Sequence, residues 1–345
     1  MSSLIGLVER GWAPDALVRM GVRRLLRVRA DRMRPADCEA RAEQIEALIR
    51  ELGQGPIAEA TDAANDQHYA LPTAFFEQVL GPHMKYSCAL WEEGARDLEE
   101  AEARMLERSC ERADLEDGQD ILELGCGWGA LSLWMAEHYP AARITAVSNS
   151  SPQREFIEAR AAQRGLDNLR VVTADINDFA TTERFDRVVS LEMFEHMRNW
   201  GELFARVAEW LRPGGHLFVH MFCHRDFPYF FEADDGSWMA RHFFTGGLMP
   251  SDELPARFQQ GLRLIRRWRV NGTHYGRTCR AWLQRLDASR TSLLPVLRDA
   301  YGEDQAMLWF HRWRIFFLAS GEFFHWRRGE EWWVSHYLFE KPGGA

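Results

Sequence analysis

The chain has no long apolar run and no paired cysteines, and each absence excludes a class of protein. No uninterrupted apolar stretch approaches the roughly 20 residues that span a bilayer, and the N-terminus lacks the apolar core of a signal peptide. The six cysteines are scattered, without C-x-x-C pairs or the spacing of metal ligands. Reduced thiols are therefore expected, and no metal site is predicted. These features together predict a cytoplasmic protein.

A surplus of positive charge is also missing. The formal net charge is −9 over 345 residues, whereas proteins that bind nucleic acids usually carry a basic surplus, so no nucleic-acid partner is expected. The length exceeds one average domain and predicts a core with appended elements. Tryptophan, in contrast, is abundant: ten of the 14 tryptophans lie at or beyond Trp200. The C-terminal half is therefore expected to hold an aromatic-rich substructure.

Apolar strands alternate with helices from residue 119 to about 223, which is typical of a parallel sheet covered on both faces. The predicted strands are 120–124, 143–147, 169–174, 187–191 and 217–222, and the helices between them are 130–138, 152–164 and 199–211. Helices are also predicted over 16–34, 39–52, 97–112, 279–301 and 303–320, with a closing strand over 332–339. The fold class is therefore α/β.

Three closely spaced glycines follow the first of these strands, in the segment Glu123-Leu-Gly125-Cys-Gly127-Trp-Gly129. Glycines permit a tight turn and leave no Cβ between the backbone and a ligand. A dinucleotide site would show G-x-G-x-x-G and an acidic residue about 20 positions further on. Here the third glycine comes one residue early, and the next strand ends in Ser148-Asn149 without a carboxylate. The pattern is that of methyltransferases that use S-adenosylmethionine (SAM), and a glycine-rich turn without a ligand is the alternative.

Side chains at the carboxyl ends of the parallel strands should meet where the strand order reverses. Asn149 and Gln153 are four residues apart and could bond a ribose from one face of a helix N-terminus. Asp175 could accept a hydrogen bond from an adenine amine while Ile176 packs on the ring. Taken alone, Asp175 would instead be a turn or N-cap acid.

The segment Leu191-Glu-Met-Phe-Glu-His-Met197 begins at the tip of a predicted strand, where a catalytic group belongs. If the chain turns helical there, Glu192, Glu195 and His196 stand at i, i+3 and i+4 and share one face. Clustered ionisable groups perturb one another's pKa, which suits acid–base catalysis. A capped helix start with solvated carboxylates is the alternative for an arbitrary E-x-x-E-H.

Several segments together resemble the coclaurine N-methyltransferase-like branch of the cyclopropane-fatty-acyl-phospholipid synthase superfamily. They are Lys85-Tyr-Ser-Cys88, the glycine segment, Glu192-Met-Phe-Glu-His-Met197, Phe222-Cys-His-Arg-Asp-Phe227, Arg241-His-Phe-Phe-Thr-Gly-Gly247, Val270-Asn-Gly-Thr-His-Tyr275 and Gly329-Glu-Glu-Trp332. The resemblance spans nearly the whole chain. It implies a class I methyltransferase with a Rossmann-like, doubly wound, mostly parallel sheet, N-terminal helices and a helical, aromatic-rich cap.

The resemblance also implies roles for residues and regions. Glu192, Glu195 and His196 would be the catalytic group, and SAM, converted to S-adenosylhomocysteine (SAH), would be the cofactor. With the glycine pattern, it predicts cofactor contacts at Tyr86, Ser87, Gly125, Gly127, Gly129, Asn149, Gln153, Asp175, Ile176 and Leu191. We expect N-terminal helices and a cofactor-covering loop over 1–112, a SAM-binding core over 113–223, and cap helices with closing strands over 224–345.

N-methylation of a small aryl-alkyl or isoquinoline-type amine is the leading interpretation. Such an amine, with a pKa near the 10.4 of lysine, is protonated at neutral pH, and freeing its lone pair costs about 4–5 kcal/mol. Glu195 and His196 are the candidate bases, and Glu192 is expected to orient the amine. Substrate contacts are predicted at His220, Phe230, Trp238, Phe243, Tyr275, Trp309, Trp313 and Phe316. The helical spacing of Trp309, Trp313 and Phe316 equally fits a core stripe.

Methyl or methylene transfer to an unsaturated lipid is the alternative activity. In that branch, residues matching Tyr86, Cys88, Glu195 and His220 would hold a bicarbonate ion as base, and membrane contact would be expected only there. The branch also carries a cysteine in a late helix, where this chain reads Leu318-Ala-Ser-Gly-Glu322. A SAM-binding regulator without activity is a third interpretation.

Two further features concern charge and partners. Arg312-Trp313 stands where the plant N-methyltransferases usually have Tyr-Trp, and a cationic Arg312 near the substrate would disfavour an ammonium. The helix predicted over 16–34 is strongly basic, and a helix that covers a neighbour is favoured over one that lies on a membrane surface. A homodimer is left open.

Overall fold

The structure is a computed structural model that describes residues 2–33, 37–59, 71–92, 94–231, 238–244 and 246–343. Residues 60–70, within the region predicted to hold the N-terminal helices and the cofactor-covering loop, are outside the described residues.

Strands with apolar residues on both faces form the centre of a seven-stranded sheet, and Ile121, Leu122, Val188 and Val189 are fully buried there. The five parallel strands are β1 (Asp120–Leu124), β2 (Arg143–Ser148), β3 (Leu169–Thr173), β4 (Phe185–Leu191) and β5 (Leu211–His224). A separate pair consists of β6 (Tyr229–Phe230) and β7 (Leu248–Met249), and β8 (Arg263–Val270) and β9 (Trp332–Glu340) complete the main sheet. The order is β3-β2-β1-β4-β5-β9-β8, with β9 antiparallel to both neighbours. The strand order therefore reverses between β1 and β4.

Helices cover the sheet and extend it at both ends of the chain. Before the sheet lie α1 (Ser2–Glu9), α2 (Asp15–Arg32), α3 (Cys38–Glu51), α4 (Thr73–Val79) and α5 (Leu98–Arg112). The helices α6 (Ala130–His138), α7 (Ser151–Arg164) and α8 (Trp200–Trp210) connect parallel strands. The remaining helices are α9 (Trp238–His242), α10 (Gly272–Ala288), α11 (Arg290–Tyr301) and α12 (Ala306–His325). The N-caps Asp97 and Asn199 accept hydrogen bonds from backbone amides three residues on, which fixes where α5 and α8 begin.

The predicted α/β class is confirmed, with two differences in the C-terminal third. The helix predicted over 279–301 begins earlier, at Gly272, and is two helices that meet at Ser289. Strand β8 was not predicted because arginine fills half of its eight positions, at Arg263, Arg266, Arg267 and Arg269. It is an edge strand of the sheet, and charged side chains on an exposed edge discourage pairing with another chain.

The basic helix α2 covers a neighbour, as the favoured interpretation predicts. Leu26 and Ala30 are buried, and Arg19 and Arg23 donate to the two carboxylate oxygens of Glu322 on α12, at 2.7 and 2.6 Å. Among the described residues, no helix combines the length and the apolar character needed to cross a membrane.

Candidate active site

A cavity opens at the carboxyl ends of β1, β2 and β4, where the strand order reverses. This is where open α/β sheets bind their ligands. Eight of the ten predicted cofactor residues line it: Tyr86, Ser87, Gly125, Gly127, Asn149, Gln153, Ile176 and Leu191. The other two, Gly129 and Asp175, lie outside the lining.

Glycine is required at the three positions of the loop for different structural reasons. All three have positive φ angles, 75° at Gly125, 52° at Gly127 and 77° at Gly129, which favours glycine. A Cβ on Gly125 would lie 2.8 Å from the Met193 Cβ, and one on Gly129 would lie 2.6 Å from the Ile157 Cγ1. A Cβ on Gly127 would meet no atom of the described residues within 4 Å, because that position faces the cavity. Gly127 is thus the glycine that leaves room for a ligand.

Polar groups beside the glycine loop fit a hydrogen-bonding ligand. The Gln153 Oε1 accepts from the Ser148 hydroxyl at 2.6 Å, but the buried Gln153 Nε2 has no hydrogen-bond partner among the described residues. A buried donor of this kind calls for a partner, and a bound ribose or carboxylate would supply one. Asn149 is exposed, precedes α7 and lines the same cavity as Gln153, so a ribose contact from these two residues at the helix N-terminus stays a prediction.

Asp175 forms a turn at the end of β3. Its Oδ1 accepts from the Asn177 amide at 2.7 Å, which is the local arrangement expected of a turn acid. Ile176 is buried and lines the cavity. An adenine contact at Asp175 stays a prediction.

Glu192 is the residue on which the polar groups of the site converge. Its Oε1 accepts from the Cys88 amide at 3.0 Å and pairs with the His220 Nε2 at 3.1 Å, and its Oε2 accepts from the Tyr275 hydroxyl at 2.5 Å. Its φ of 51° lies in the left-handed region, which is strained for a side chain of this kind. Glu192 is therefore not part of a helix, and the predicted shared face with Glu195 and His196 is wrong.

Glu195 points away from the cavity. It is fully buried, its Oε1 accepts from the Phe222 amide at 2.8 Å, and it does not belong to the cavity lining. Burial and the nearby charge of Glu192 raise the pKa of Glu195 well above its usual range. Of these two neighbouring carboxyls, Glu192 has three donors and Glu195 has one, so we place the proton on Glu195.

His196 lines the cavity beside Glu192. It lies in a short 3₁₀ turn over Phe194–His196, and its ring packs at 4.8 Å, centroid to centroid, against Phe244. Burial lowers the pKa of His196 to about 4, so the imidazole is neutral at pH 7. A neutral imidazole can accept a proton.

Lys85 is a site residue to which the sequence analysis assigned no role. It is one of only two lysines in the chain and is 1% exposed. Its ammonium donates to the Ser87 hydroxyl at 2.5 Å and to the Cys88 carbonyl at 2.7 Å. Burial raises the pKa of Glu192, and the charge of Lys85 acts in the opposite direction. Its rarity in an arginine-rich chain was the available signal.

The predicted substrate residues divide into three groups. Trp238, Phe243, Trp309, Trp313 and Phe316 belong to one aromatic cluster, in which Phe243 stacks on Phe316 at 4.5 Å. Phe243 and Trp313 are fully buried, as a core stripe would require. Phe230 packs in a different cluster, beneath the Arg198 guanidinium. Tyr275 and His220 lie behind Glu192, outside the cavity lining, and bond to its carboxylate.

Comparison with known proteins shows the family. The profile of the mycolic acid cyclopropane synthetase family matches residues 58–326. The (S)-coclaurine N-methyltransferase of Thalictrum flavum subsp. glaucum is 36% identical over 347 residues, covering 98% of this chain and 95% of that protein. The cyclopropane-fatty-acyl-phospholipid synthase of Escherichia coli (strain K12) is 31% identical over 239 residues, covering 69% of this chain and 59% of that protein.

Solved structures agree with this assignment. A crystal structure of coclaurine N-methyltransferase bound to N-methylheliamine and SAH matches with a TM-score of 0.95 at 36% identity, covering 99% of both chains. The cyclopropane synthase MmaA2 from Mycobacterium tuberculosis matches with a TM-score of 0.69 at 24% identity, covering 82% of this chain and 99% of that one, which is a likeness of fold alone. The chain therefore belongs to the cyclopropane synthase family of SAM-dependent methyltransferases, in the branch of the coclaurine N-methyltransferases.

Proposed function

We propose that this enzyme N-methylates a small aryl-alkyl or isoquinoline-type amine. The observation that carries the proposal is the pairing, at one edge of the cavity, of a carboxylate held by three donors with a neutral imidazole, Glu192 with His196. A substrate ammonium needs an anion to hold it and a base to take its proton, and these two residues supply both. The named activities of the plant relatives, which act on coclaurine, pavine and tetrahydroprotoberberine, agree with this chemistry.

The proposed mechanism assigns one task to each residue. The Glu192 carboxylate holds the ammonium, and His196, which is neutral at pH 7, relays the proton of the ammonium to solvent. Bound SAM supplies the methyl group: the nitrogen lone pair forms the N–C bond, and the sulfur takes the electrons of the broken C–S bond. Gly127 and Gln153 are the residues that we propose to hold SAM. Positioning both reactants in one cavity removes much of the entropic barrier.

The lipid alternative is weakened because the Glu192 carboxylate already bonds to residues that were assigned to a bicarbonate ion. Cys88 and His220, two of the residues assigned to a bicarbonate ion, both bond the carboxylate of Glu192. A carboxylate has the same charge and a similar planar shape, so the chain carries its own anion among those donors. The third assigned residue, Tyr86, packs between the rings of Phe76 and Trp282.

Arg312 does not count against an ammonium substrate. Its Nε donates to the Glu9 Oε1 at 3.0 Å, and its guanidinium lies 4.9 Å from the centre of the Trp309 ring. The Trp238 Nε1 donates to the same Glu9 oxygen at 2.9 Å. The positive charge of Arg312 is therefore neutralised within the protein.

The pH dependence of kcat/KM tests the proton path. We expect kcat/KM for a simple tetrahydroisoquinoline to rise about tenfold per pH unit from pH 6 to 9, because the reacting complex holds one proton fewer than the free ammonium. His196 has to be neutral to accept a proton. Since its pKa is lowered to about 4, its protonation would reduce kcat/KM only below pH 6. Stripping bicarbonate from the buffer should leave the rate unchanged. A flat profile, or a rate that collapses without bicarbonate and returns with it, would contradict the proposal.

We also propose a homodimer formed through α1 and α2. Eight of the ten large apolar side chains that are exposed among the described residues lie in these two helices or in the turn between them: Leu4, Ile5, Leu7, Trp12, Leu17, Met20, Leu25 and Val28. Large exposed apolar patches mark protein or membrane interfaces. Arg19 and Arg23 are paired with Glu322, and Arg29 lies over the Tyr229 ring, so much of the basic charge is directed inwards and a second copy is favoured over an anionic membrane.

Light scattering after size exclusion tests the dimer. The wild-type chain should elute with the mass of two chains, and the double variant Leu17→Glu, Leu25→Glu with the mass of one. A wild-type monomer that floats with anionic vesicles would support the membrane interpretation instead.

A further inference from the structure

A buried line of polar side chains runs from Glu192 away from the cavity. The His220 Nε2 lies 3.1 Å from the Glu192 Oε1, and the Arg112 Nη1 lies 2.9 Å from the Nδ1 of His336. His220 and His336 are register partners on the antiparallel strands β5 and β9, and their ring centroids are 4.6 Å apart. Both histidines are fully buried. The line therefore joins Arg112 on α5 to the central residue of the site.

The two ends of this line fix the direction of its hydrogen bonds. Arginine only donates, so the His336 Nδ1 accepts and the proton of a neutral His336 sits on Nε2. The Glu192 carboxylate only accepts, so the His220 Nε2 carries a proton and its Nδ1 has a lone pair. The His336 Nε2 and the His220 Nδ1 are both buried without a hydrogen-bond partner among the described residues. The His336 Nε2 is a donor and the His220 Nδ1 is an acceptor, and the two rings face each other.

We infer that Arg112 and His336 are positioning residues of the active site, which hold His220 in the tautomer that donates to Glu192. One bridging water would join the His336 Nε2–H to the His220 Nδ1, since buried polar groups are seldom left unpaired and these two atoms make no direct hydrogen bond although their rings are 4.6 Å apart. Every donor in the line then points towards Glu192. This inference deepens the proposed function and rests on it for the role of Glu192.

The charges around the line make it a tautomer lock and not a route by which a proton leaves. Burial lowers the pKa of His220 well below its usual range, and the positive charges of Lys85 and Arg112 act in the same direction. Burial, His220 and Arg112 do the same for the pKa of His336. The other groups that face Glu192 or His336 are Cys88, His196, Tyr275, Glu195 and Arg108. A proton taken up at Glu192 therefore cannot pass to His220, which would be a cation between two cations.

Nitrogen NMR of the histidine-labelled enzyme tests the lock directly. The His220 signals, assigned by their loss in His220→Gln, should show the Nε2–H tautomer between pH 6 and 8. In Arg112→Met, His336 is free to move its proton to Nδ1 and no longer donates towards the His220 Nδ1. Glu192 can then take up a proton and donate a hydrogen bond to the His220 Nε2, so His220 should become a mixture of tautomers. A wild-type His220 that is doubly protonated, or protonated on Nδ1, would overturn the inference, as would an unchanged tautomer in Arg112→Met.

Kinetics of the same variants provide the second measurement. Losing one hydrogen bond to a charged group should lower kcat at pH 7 by about tenfold in Arg112→Met and leave the SAM dissociation constant unchanged. In this variant Glu192 is partly protonated at pH 7. Raising the pH should restore kcat, because Glu192 then loses its proton even without the hydrogen bond from His220. Arg112→Lys keeps a donor and should keep most of the activity, and Arg104→Met, on the same helix but beside Glu100, is the matched control. A uniform loss at every pH would show a merely structural role.

The two measurements separate this inference from the proposed function. If the NMR result is as expected but no amine is methylated, the lock stands and the amine proposal fails. If amines are methylated but the His220 tautomer does not respond to Arg112, the lock is wrong and the amine proposal stands.

Discussion

Glu192→Gln and His196→Ala should each lower kcat on an accepted amine by about 10²–10⁴-fold, the range usual for loss of a group in acid–base catalysis. The first change removes the negative charge that holds the ammonium and puts an amide among three donors. The second removes the group that takes the proton. Calorimetric titration with SAM should give a dissociation constant within a few-fold of wild type, because neither residue is proposed to hold the cofactor.

Glu195→Gln is the matched control, since it is the same chemical change three residues away. Glu195 bonds the Phe222 amide through an oxygen that glutamine retains, and burial raises the pKa of its carboxyl, so an uncharged amide is a close substitute. We therefore expect near-normal turnover. Equal damage from Glu192→Gln and Glu195→Gln would show that both carboxylates act in the reaction and that the proton is wrongly placed.

Gly127→Val should abolish SAM binding by calorimetry, and activity with it. The valine side chain would project into the cavity, where a Cβ on Gly127 meets no described atom, and would take up the space in which we place the ligand. The loss should exceed 100-fold in affinity, about 2.7 kcal/mol.

Gly165→Val separates this effect from backbone strain. Gly165 also has a positive φ, of 68°, and open space around its Cβ position, but it ends α7 away from the cavity lining. It should lower the free energy of unfolding and leave the SAM affinity intact. If both glycine variants lost SAM binding alike, or if Gly127→Val bound SAM normally, the cofactor site would have to be moved.

The centre of the fold was readable from the sequence because local pattern and burial agree there. Strand β1 and helix α6 lie at their predicted bounds, since apolar runs flanked by glycine and polar turns have few other solutions. Strand β8 escaped prediction because its place is given by pairing with β9, which only the folded sheet supplies. The same holds for the break between α10 and α11.

The site was predicted in its residues but not in its arrangement. The spacing of Glu192, Glu195 and His196 predicts a helix face, whereas the backbone at Glu192 is left-handed and the two carboxyls bond to different partners. That conformation is stabilised by Cys88, His220 and Tyr275, which are distant in sequence, so no local rule could have found it. Lys85 and His336 could not be found from local sequence either, because only the folded chain brings them close to Glu192 and His220.

A competition assay measures directly whether the enzyme transfers the methyl group to an amine nitrogen or to a lipid. Wild-type enzyme is incubated with methyl-labelled SAM and equal concentrations of a tetrahydroisoquinoline, a primary aryl-alkyl amine and vesicles of unsaturated phospholipid, and the labelled products are identified by mass spectrometry. We expect label on the nitrogen of one or both amines and none in the lipid. Label recovered only in the lipid, as a methyl or cyclopropane group, would contradict it.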